Sequence, residues 1–291
     1  MAVVATGFFD GVHLGHRQVI SALVSSARER GEEAIVVTFA THPRAVLQQD
    51  ARTLRLLSSP AEKVAMLEAL GVDRVEVLDF TREFAAMTAE EYLGGIVRDR
   101  FGGTAALLGY DNRLGSDQLD PQQVRQLAGR LGMDVIVVPP ASLDGGGLIV
   151  SSTKIRAALS EGRVEDAAAM LGYEYPVSGV VVGGKQLGRT IGFPTANMQL
   201  YEPLKLVPMR GVYLSEVDTL GRHFYGMTNV GDIIETNIFG FSEDIYGLDI
   251  TVKFKKRLRD GKRLNSVAEL KAQLTCDRAL CQELCADLPR L

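Results

Sequence analysis

The chain of 291 residues is long for one compact domain and comfortable for two of ordinary size, so two hydrophobic cores are expected. With 46% hydrophobic and 23% charged residues it has an ordinary globular composition, and 32 Lys+Arg against 36 Asp+Glu, a net charge of -4, argues against a nucleic-acid partner. No apolar run approaches the roughly 20 residues that cross a bilayer, and the start Met1-Ala2-Val3-Val4-Ala5-Thr6 lacks a signal-peptide pattern, which places the chain in the cytoplasm with no membrane partner.

From Met1 to about Leu171, β-rich runs at Val3–Thr6, Ala34–Phe39, Arg74–Leu78, Ala105–Gly109 and Asp134–Val138 alternate with helical stretches. Val19, Ile20, Leu23, Val24 and Ala27 recur at helical spacing before a stop at Gly31, and similar helices fit Ala61–Leu70, Ala89–Phe101, Pro121–Leu131 and Thr153–Ser160. The alternation predicts a doubly wound parallel α/β domain. After Tyr173 the runs Val177–Val182, Gly211–Val217, Phe224–Val230, Ile234–Phe239 and Leu248–Phe254 follow one another with no helix between them, and a helical period returns over Ser266–Asp287. This predicts a small antiparallel barrel with a terminal helix that packs through Leu264, Val267, Leu270 and Leu274. The boundary falls near Leu171–Pro176, giving domains 1–172 and 173–291. The basic run Lys253, Lys255, Lys256, Arg257, Arg259 reads as a solvated strand edge, and Cys276, Cys281 and Cys285 read as small hydrophobes on a helix, with no His nearby to make a metal site.

The first strand runs into Gly7-Phe8-Phe9-Asp10-Gly11-Val12-His13-Leu14-Gly15-His16 and then into a helix. In an open α/β sheet such a turn lies where ligands bind, and the new helix offers unpaired N–H groups to an anion. His13 and His16, three apart, can lean over one spot and donate to phosphate oxygens. Zinc would need a third ligand at matching spacing, and none is near. Later, Ser151-Ser152-Thr153-Lys154-Ile155-Arg156 sets hydroxyls at a helix cap and a guanidinium one turn on, a second set of phosphate donors.

The turn His13-Leu14-Gly15-His16 resembles the HxGH signature of the nucleotidyltransferase superfamily, and the longer string resembles the FMN adenylyltransferase half of bacterial bifunctional riboflavin kinase/FAD synthetases. The resemblance implies that Gly7, Phe9, Asp10, Gly11, His13, His16, Ser152, Thr153 and Arg156 bind ATP, with His13, His16 and Arg156 catalytic. It implies that Phe39, His42 and Pro43 after the second strand, and Asp111 after the fourth, contact flavin; Leu114 stands where the family carries Phe.

Gly179-Val180-Val181-Val182-Gly183-Gly184-Lys185-Gln186 nearly makes a phosphate-binding loop, but Gln186 replaces the hydroxyl that would hold magnesium. The continuation Gly188-Arg189-Thr190-Ile191-Gly192-Phe193-Pro194-Thr195-Ala196-Asn197 resembles the riboflavin kinase motif GRxxGFPTAN at every fixed position. Its glycines let a loop fold over phosphates, and Thr195 and Asn197 offer two neutral oxygens on one side of an extended segment. The resemblance implies ATP contacts at Gly179, Gly184, Gly188, Arg189, Gly192, Pro194, Thr195 and Asn197, magnesium on Thr195 and Asn197, and Glu235 as catalytic base. Related sequences carry a longer segment between Asn229 and Glu235.

Taken together, the resemblance implies a magnesium-dependent enzyme, monomeric or weakly associated, that makes FMN from riboflavin and ATP, then FAD from FMN and ATP. The alternative is an FMN adenylyltransferase with an impaired kinase domain. A flavin-binding regulator without turnover is disfavoured because the donors His13, His16, Arg156, Thr195 and Glu235 are all present.

Overall fold

The computed structural model describes residues 1–47, 54–139, 142–143, 148–184, 187–262 and 265–286. Lys185, Gln186, Leu264 and Asp287, named above, lie outside the described residues. The chain groups into two units, Met1–Ser152 and Thr153–Leu291.

In the first unit, strands β1 (Ala2–Thr6), β2 (Glu33–Phe39), β3 (Arg74–Leu78), β4 (Gly103–Gly109) and β5 (Asp134–Val138) form one parallel sheet in the order β3-β2-β1-β4-β5. Val3, Ala5, Val36 and Leu107 face a helix layer that supplies Ile20, Leu23, Val24 and Ala27, while Val4, Ile35, Val37 and Leu108 face Leu93, Val97, Val124 and Leu127. Burial on both faces is why the central strands read as unbroken apolar runs. The helices have the ends that their sequences call for: α1 (Leu14–Arg30) stops at Gly31 with φ 65°, and α2 (Pro60–Ala69) starts from a reciprocal Ser59–Glu62 capping box with Pro at its first position. Helix α3 (Pro121–Arg130) has the same box from Asp120 and Gln123.

One predicted element is corrected. Ala89–Phe101 is not a single α-helix: a turn at Ala89–Glu91 passes into a nine-residue π-helix, Tyr92–Arg100. Gly94 and Gly95 sit in it, and two glycines weaken the preference for a regular α-helix there.

The second unit opens with α4 (Ser152–Ser160), whose first residue belongs to the first unit, and α5 (Val164–Leu171), a helix that the pattern reading did not list. Six strands follow: β6 (Tyr175–Val182), β7 (Ala196–Leu200), β8 (Gly211–Thr219), β9 (Arg222–Val230), β10 (Ile234–Ile238) and β11 (Asp249–Asp260). They close a barrel in the order β8-β9-β10-β7-β6-β11, with every ladder antiparallel. Strand β7 was seen in sequence only as an extended segment, and a four-residue helix, Leu187–Thr190, lies between β6 and β7 where no helix was expected. Strong turn formers outweigh apolar periodicity there.

The terminal helix α6 (Val267–Ala286) covers the barrel through Leu274, Cys281, Leu284 and Cys285 against Val212, Leu214 and Met227. Its contact face lies further along than predicted, for Val267 is 53% exposed. Burial pushes the Cys281 thiol up to about 12, so it behaves as an apolar side chain. The basic run is paired rather than merely solvated: Lys253 bridges Glu216 and Asp218, Lys255 reaches Glu174, and Arg259 forks onto buried Asp277. Residues 153–172 group with the barrel unit, where Met209 N–H donates to the Leu159 carbonyl.

Candidate active sites

In the amino-terminal sheet the neighbours β1 and β4 are followed by connections that leave to opposite sides, so the turns after them flank a topological switch point, where open α/β sheets bind ligands. The turn after β1 is tightly determined. Phe9 and Val12 hold φ of 52° and 35°, left-handed values that cost a β-branched residue energy, and Gly11 at 75° completes the bend. What over-determines this conformation is the buried Asp10 carboxylate. It accepts the backbone N–H of Leu57 and Ser58 and the Ser58 hydroxyl, while Gly11 N–H donates to Ser58 Oγ at 2.9 Å. Asp10 thus faces inward as a brace.

His13 caps α1, its Nδ1 accepting from His16 N–H at 3.3 Å, and the two imidazoles stack with centroids 3.6 Å apart. Burial first, then His13 and Lys63, holds the His16 pKa well below its usual value, so the ring is neutral at pH 7 and donates through one nitrogen only. Ser152 Oγ donates to the Asp10 carbonyl at 3.2 Å, which ties Ser152 to the first turn. Helix α4 begins at Ser152, so Ser151 rather than Ser152 precedes it; Thr153 and Arg156 belong to the second unit.

The predicted flavin segments lie at two strand ends. Phe39 is buried at the end of β2 against Phe80 and Phe84, and His42 packs on Phe8 with centroids 4.4 Å apart. Pro43 opens a short helix, Pro43–Leu47. After β4, Asp111 is exposed and Leu114 bridges to Leu119, a tight local turn. Sequence reasoning missed Lys63, whose ammonium lies 2.9 Å from the Phe39 carbonyl and 3.9 Å from the Phe8 ring centre. Its signal was legible: Lys63 and the core residue Leu67 are four apart, so a lysine stands on the apolar stripe of α2.

In the barrel the glycines of the second motif are positions where two segments touch. A Cβ on Gly179 would lie 2.1 Å from the Gln199 carbonyl oxygen, one on Gly188 would lie 2.2 Å from that of Phe193, and one on Gly184 would lie 1.8 Å from the Asn197 side-chain amide. Gly192 needs its φ of 85°. Arg189, Pro194, Thr195 and Asn197 line a cavity of about 350 Å³, with Phe241, Glu243, Asp244 and Tyr246 opposite. Glu235 lies behind Asn197 across the β10–β7 ladder. With the amide oriented to satisfy its neighbours, Asn197 donates to Glu235 Oε1 at 3.1 Å and accepts from Gly184 N–H at 3.3 Å.

Two further residues here escaped the sequence reading. Asn237 donates to the Pro194 carbonyl, and Arg278 of α6 covers the Phe193 ring at 4.0 Å and donates to the Gly192 carbonyl and to Asn237 Oδ1. The segment between Asn229 and Glu235 is a tight hairpin: Val230 pairs with Ile234 and Gly231 N–H reaches the Ile233 carbonyl at 3.2 Å.

Comparison with known proteins matches both parts of the chain. Residues 1–154 match the family model described as FAD synthetase, and residues 171–285 match the one described as riboflavin kinase. A bifunctional riboflavin kinase/FMN adenylyltransferase of Bacillus subtilis is 32% identical over 95% of this chain and 90% of its own length; one of Escherichia coli is 34% identical over 97% and 92%. A solved structure described as a macrolide-efflux protein from Streptococcus pneumoniae has a TM-score of 0.90 at 32% identity, covering 97% of this chain and 93% of that one. Among the described residues no helix is long and apolar enough to cross a membrane. The chain belongs to the bifunctional riboflavin kinase/FMN adenylyltransferase family.

Proposed function

We propose that the chain makes FAD in two steps on two sites, phosphorylating riboflavin in the barrel unit and adenylylating FMN at the switch point of the sheet. The observation that carries this reading is that each unit assembles its own complete motif at a strand-end site: the stacked His13–His16 pair on the Asp10 brace, and the Thr195–Asn197–Glu235 set beside a cavity. We assign residues 1–172 to adenylylation and 173–291 to phosphorylation, the division following Gly172, which ends α5 at φ 79°.

At the first site an FMN phosphate oxygen attacks the α-phosphorus of ATP, and the bond from that phosphorus to the bridging oxygen breaks as pyrophosphate leaves. No residue is covalently modified. His13, His16, Ser152 and the N–H groups opening α1 hold the triphosphate and stabilise charge on its oxygens, and the family resemblance gives Thr153 and Arg156 of the second unit the same assignment. Phe39, His42, Pro43 and Asp111 receive the flavin.

In the barrel the ribityl hydroxyl attacks the γ-phosphorus, its proton passes to Glu235, and ADP leaves. Gly184, Arg189 and the Gly188–Pro194 segment receive the phosphates. The Thr195 hydroxyl and the second lone pair of the Asn197 amide oxygen are hard, neutral donors of the kind that magnesium takes together with substrate phosphates, so this donor set fits that ion. Bound there, magnesium would neutralise charge on the transferring group.

The test is an end-point assay of the purified chain with riboflavin, ATP and magnesium, beside a second reaction that starts from FMN. FMN followed by FAD from riboflavin supports both sites. FAD from FMN with riboflavin untouched favours the adenylyltransferase alone, the reading that the short Gly231–Ile233 turn would explain. Absence of both products overturns the proposal.

A further inference from the structure

Lys63 is buried to 2% exposure, yet no motif contains it and no chemistry above uses it. Its close partners are the Phe39 carbonyl at 2.9 Å and the face of the Phe8 ring at 3.9 Å; among the described residues no carboxylate stands within ion-pair distance of its Nζ. The carboxylate that acts on it, Asp10, is already engaged by Leu57 and Ser58. An ammonium removed from water without a paired anion destabilises a fold, and an apolar residue of the same length would stabilise it. A charge kept at such a cost, between the phosphate-facing turn that carries Phe8 and the flavin segment that begins at Phe39, has a use at the site.

We propose that Lys63 is the fixed positive charge of the adenylylation site, a positioning residue that draws the ATP polyphosphate onto the start of α1 and holds the Phe8 turn and the Phe39 segment at one spacing. The proposal rests on the adenylyltransferase reading of this unit. The electrostatics agree with the geometry. Burial lowers the Lys63 pKa to about 8 against the opposing pull of Asp10, so the amine remains mostly protonated at neutral pH and holds its proton more firmly once an anion arrives. The charged and titratable groups around it are Asp10, His13 and His16 on the turn and His42, which also packs on the Phe8 ring. Glu62 of its own helix is turned back onto Ser59 N–H.

The experiment compares Lys63→Met and Lys63→Arg with the wild-type full chain, measuring FAD formation from FMN, FMN formation from riboflavin, ATP affinity by calorimetry, and the urea midpoint of the amino-terminal unit. Lys63→Met is expected to lower kcat/KM for FAD formation on the order of ten- to hundredfold, mainly through KM for ATP, to leave FMN formation unchanged, and to raise the urea midpoint. Lys63→Arg, which keeps the charge, is expected to recover most of the ATP affinity. Wild-type kinetics and ATP affinity in Lys63→Met overturn the inference, as does a loss that comes with a lowered urea midpoint and is not recovered by Arg. A wild-type chain that makes no FAD overturns the reading of the unit itself, and the inference with it.

Discussion

In the amino-terminal unit the Gly7–His13 turn is held by a buried carboxylate, two strained non-glycine residues and a desolvated lysine; in the barrel the motif loop is held by glycines so close to their neighbours that no Cβ fits. In the function proposed above, the first site works with charge and a helix end. The second works with backbone approach and neutral oxygens, and its cavity stays open beside Glu243 and Asp244. The contrast teaches that two sites for one nucleotide, on one chain, can fail by different routes: the first by loss of a donor or a charge, the second by the addition of a single methyl group.

The comparison is broken most directly at His16. His16→Ala removes a donor from the charge-based site, and is expected to cut FAD formation from FMN about 10²–10³-fold while FMN formation stays at the wild-type rate, with both products followed by chromatography. Equal loss of both steps would mean that the units do not house separate sites. Gly184→Ala attacks the other site: its Cβ would displace the Asn197 amide, and a misplaced donor of this kind is expected to cost about 10²-fold in riboflavin phosphorylation, with adenylylation of supplied FMN retained. Unchanged kinase activity would show that Asn197 holds nothing in the reaction.

The smallest expected effect sharpens the electrostatic half of the comparison. The folded-state pKa of Lys63, about 8, lies below its ordinary value of 10.5, so between these pH values the unfolded chain binds more protons than the folded one. Stability therefore rises with pH across that window, by an amount bounded at about 3 kcal/mol. Urea titrations at several pH values should show that increment in wild type and lack it in Lys63→Met; parallel curves would contradict the depressed pKa.

Much of this was legible in the sequence because it rests on short-range chemistry. The central strands β1, β2 and β4 stand out as apolar runs since both faces are covered, and α1 ends where Gly31 can turn left-handed. Periodicity failed where local geometry overrode it, as in the π-helix at Gly94-Gly95 and the small helix before β7. The residues that hold the sites came through less well than the residues that face ligand. Asp10, which the resemblance sets among the ATP contacts, also accepts from Leu57 and Ser58; Arg278 and Asn237 reach the Gly192–Pro194 loop from elements far along the chain, a meeting that only the folded barrel creates. Lys63 could have been found, since a lysine on an apolar stripe is a local anomaly.

The strand order of the barrel bears on how the chain is made. Strands β8, β9 and β10 form a meander joined by a two-residue Leu220-Gly221 turn, both at positive φ, and by the tight Gly231–Ile233 turn, so these pairings close small loops and form early. Strand β11 pairs with β8 on one side and β6 on the other, joining Gly211 to Asp260 and Tyr175 to Phe254. On a ribosome β11 emerges after every other strand, and until it does both β6 and β8 present an open edge; the nascent kinase unit is thus most prone to aggregate just before Asp260 leaves the exit tunnel, and closure of the last strand ends that exposure.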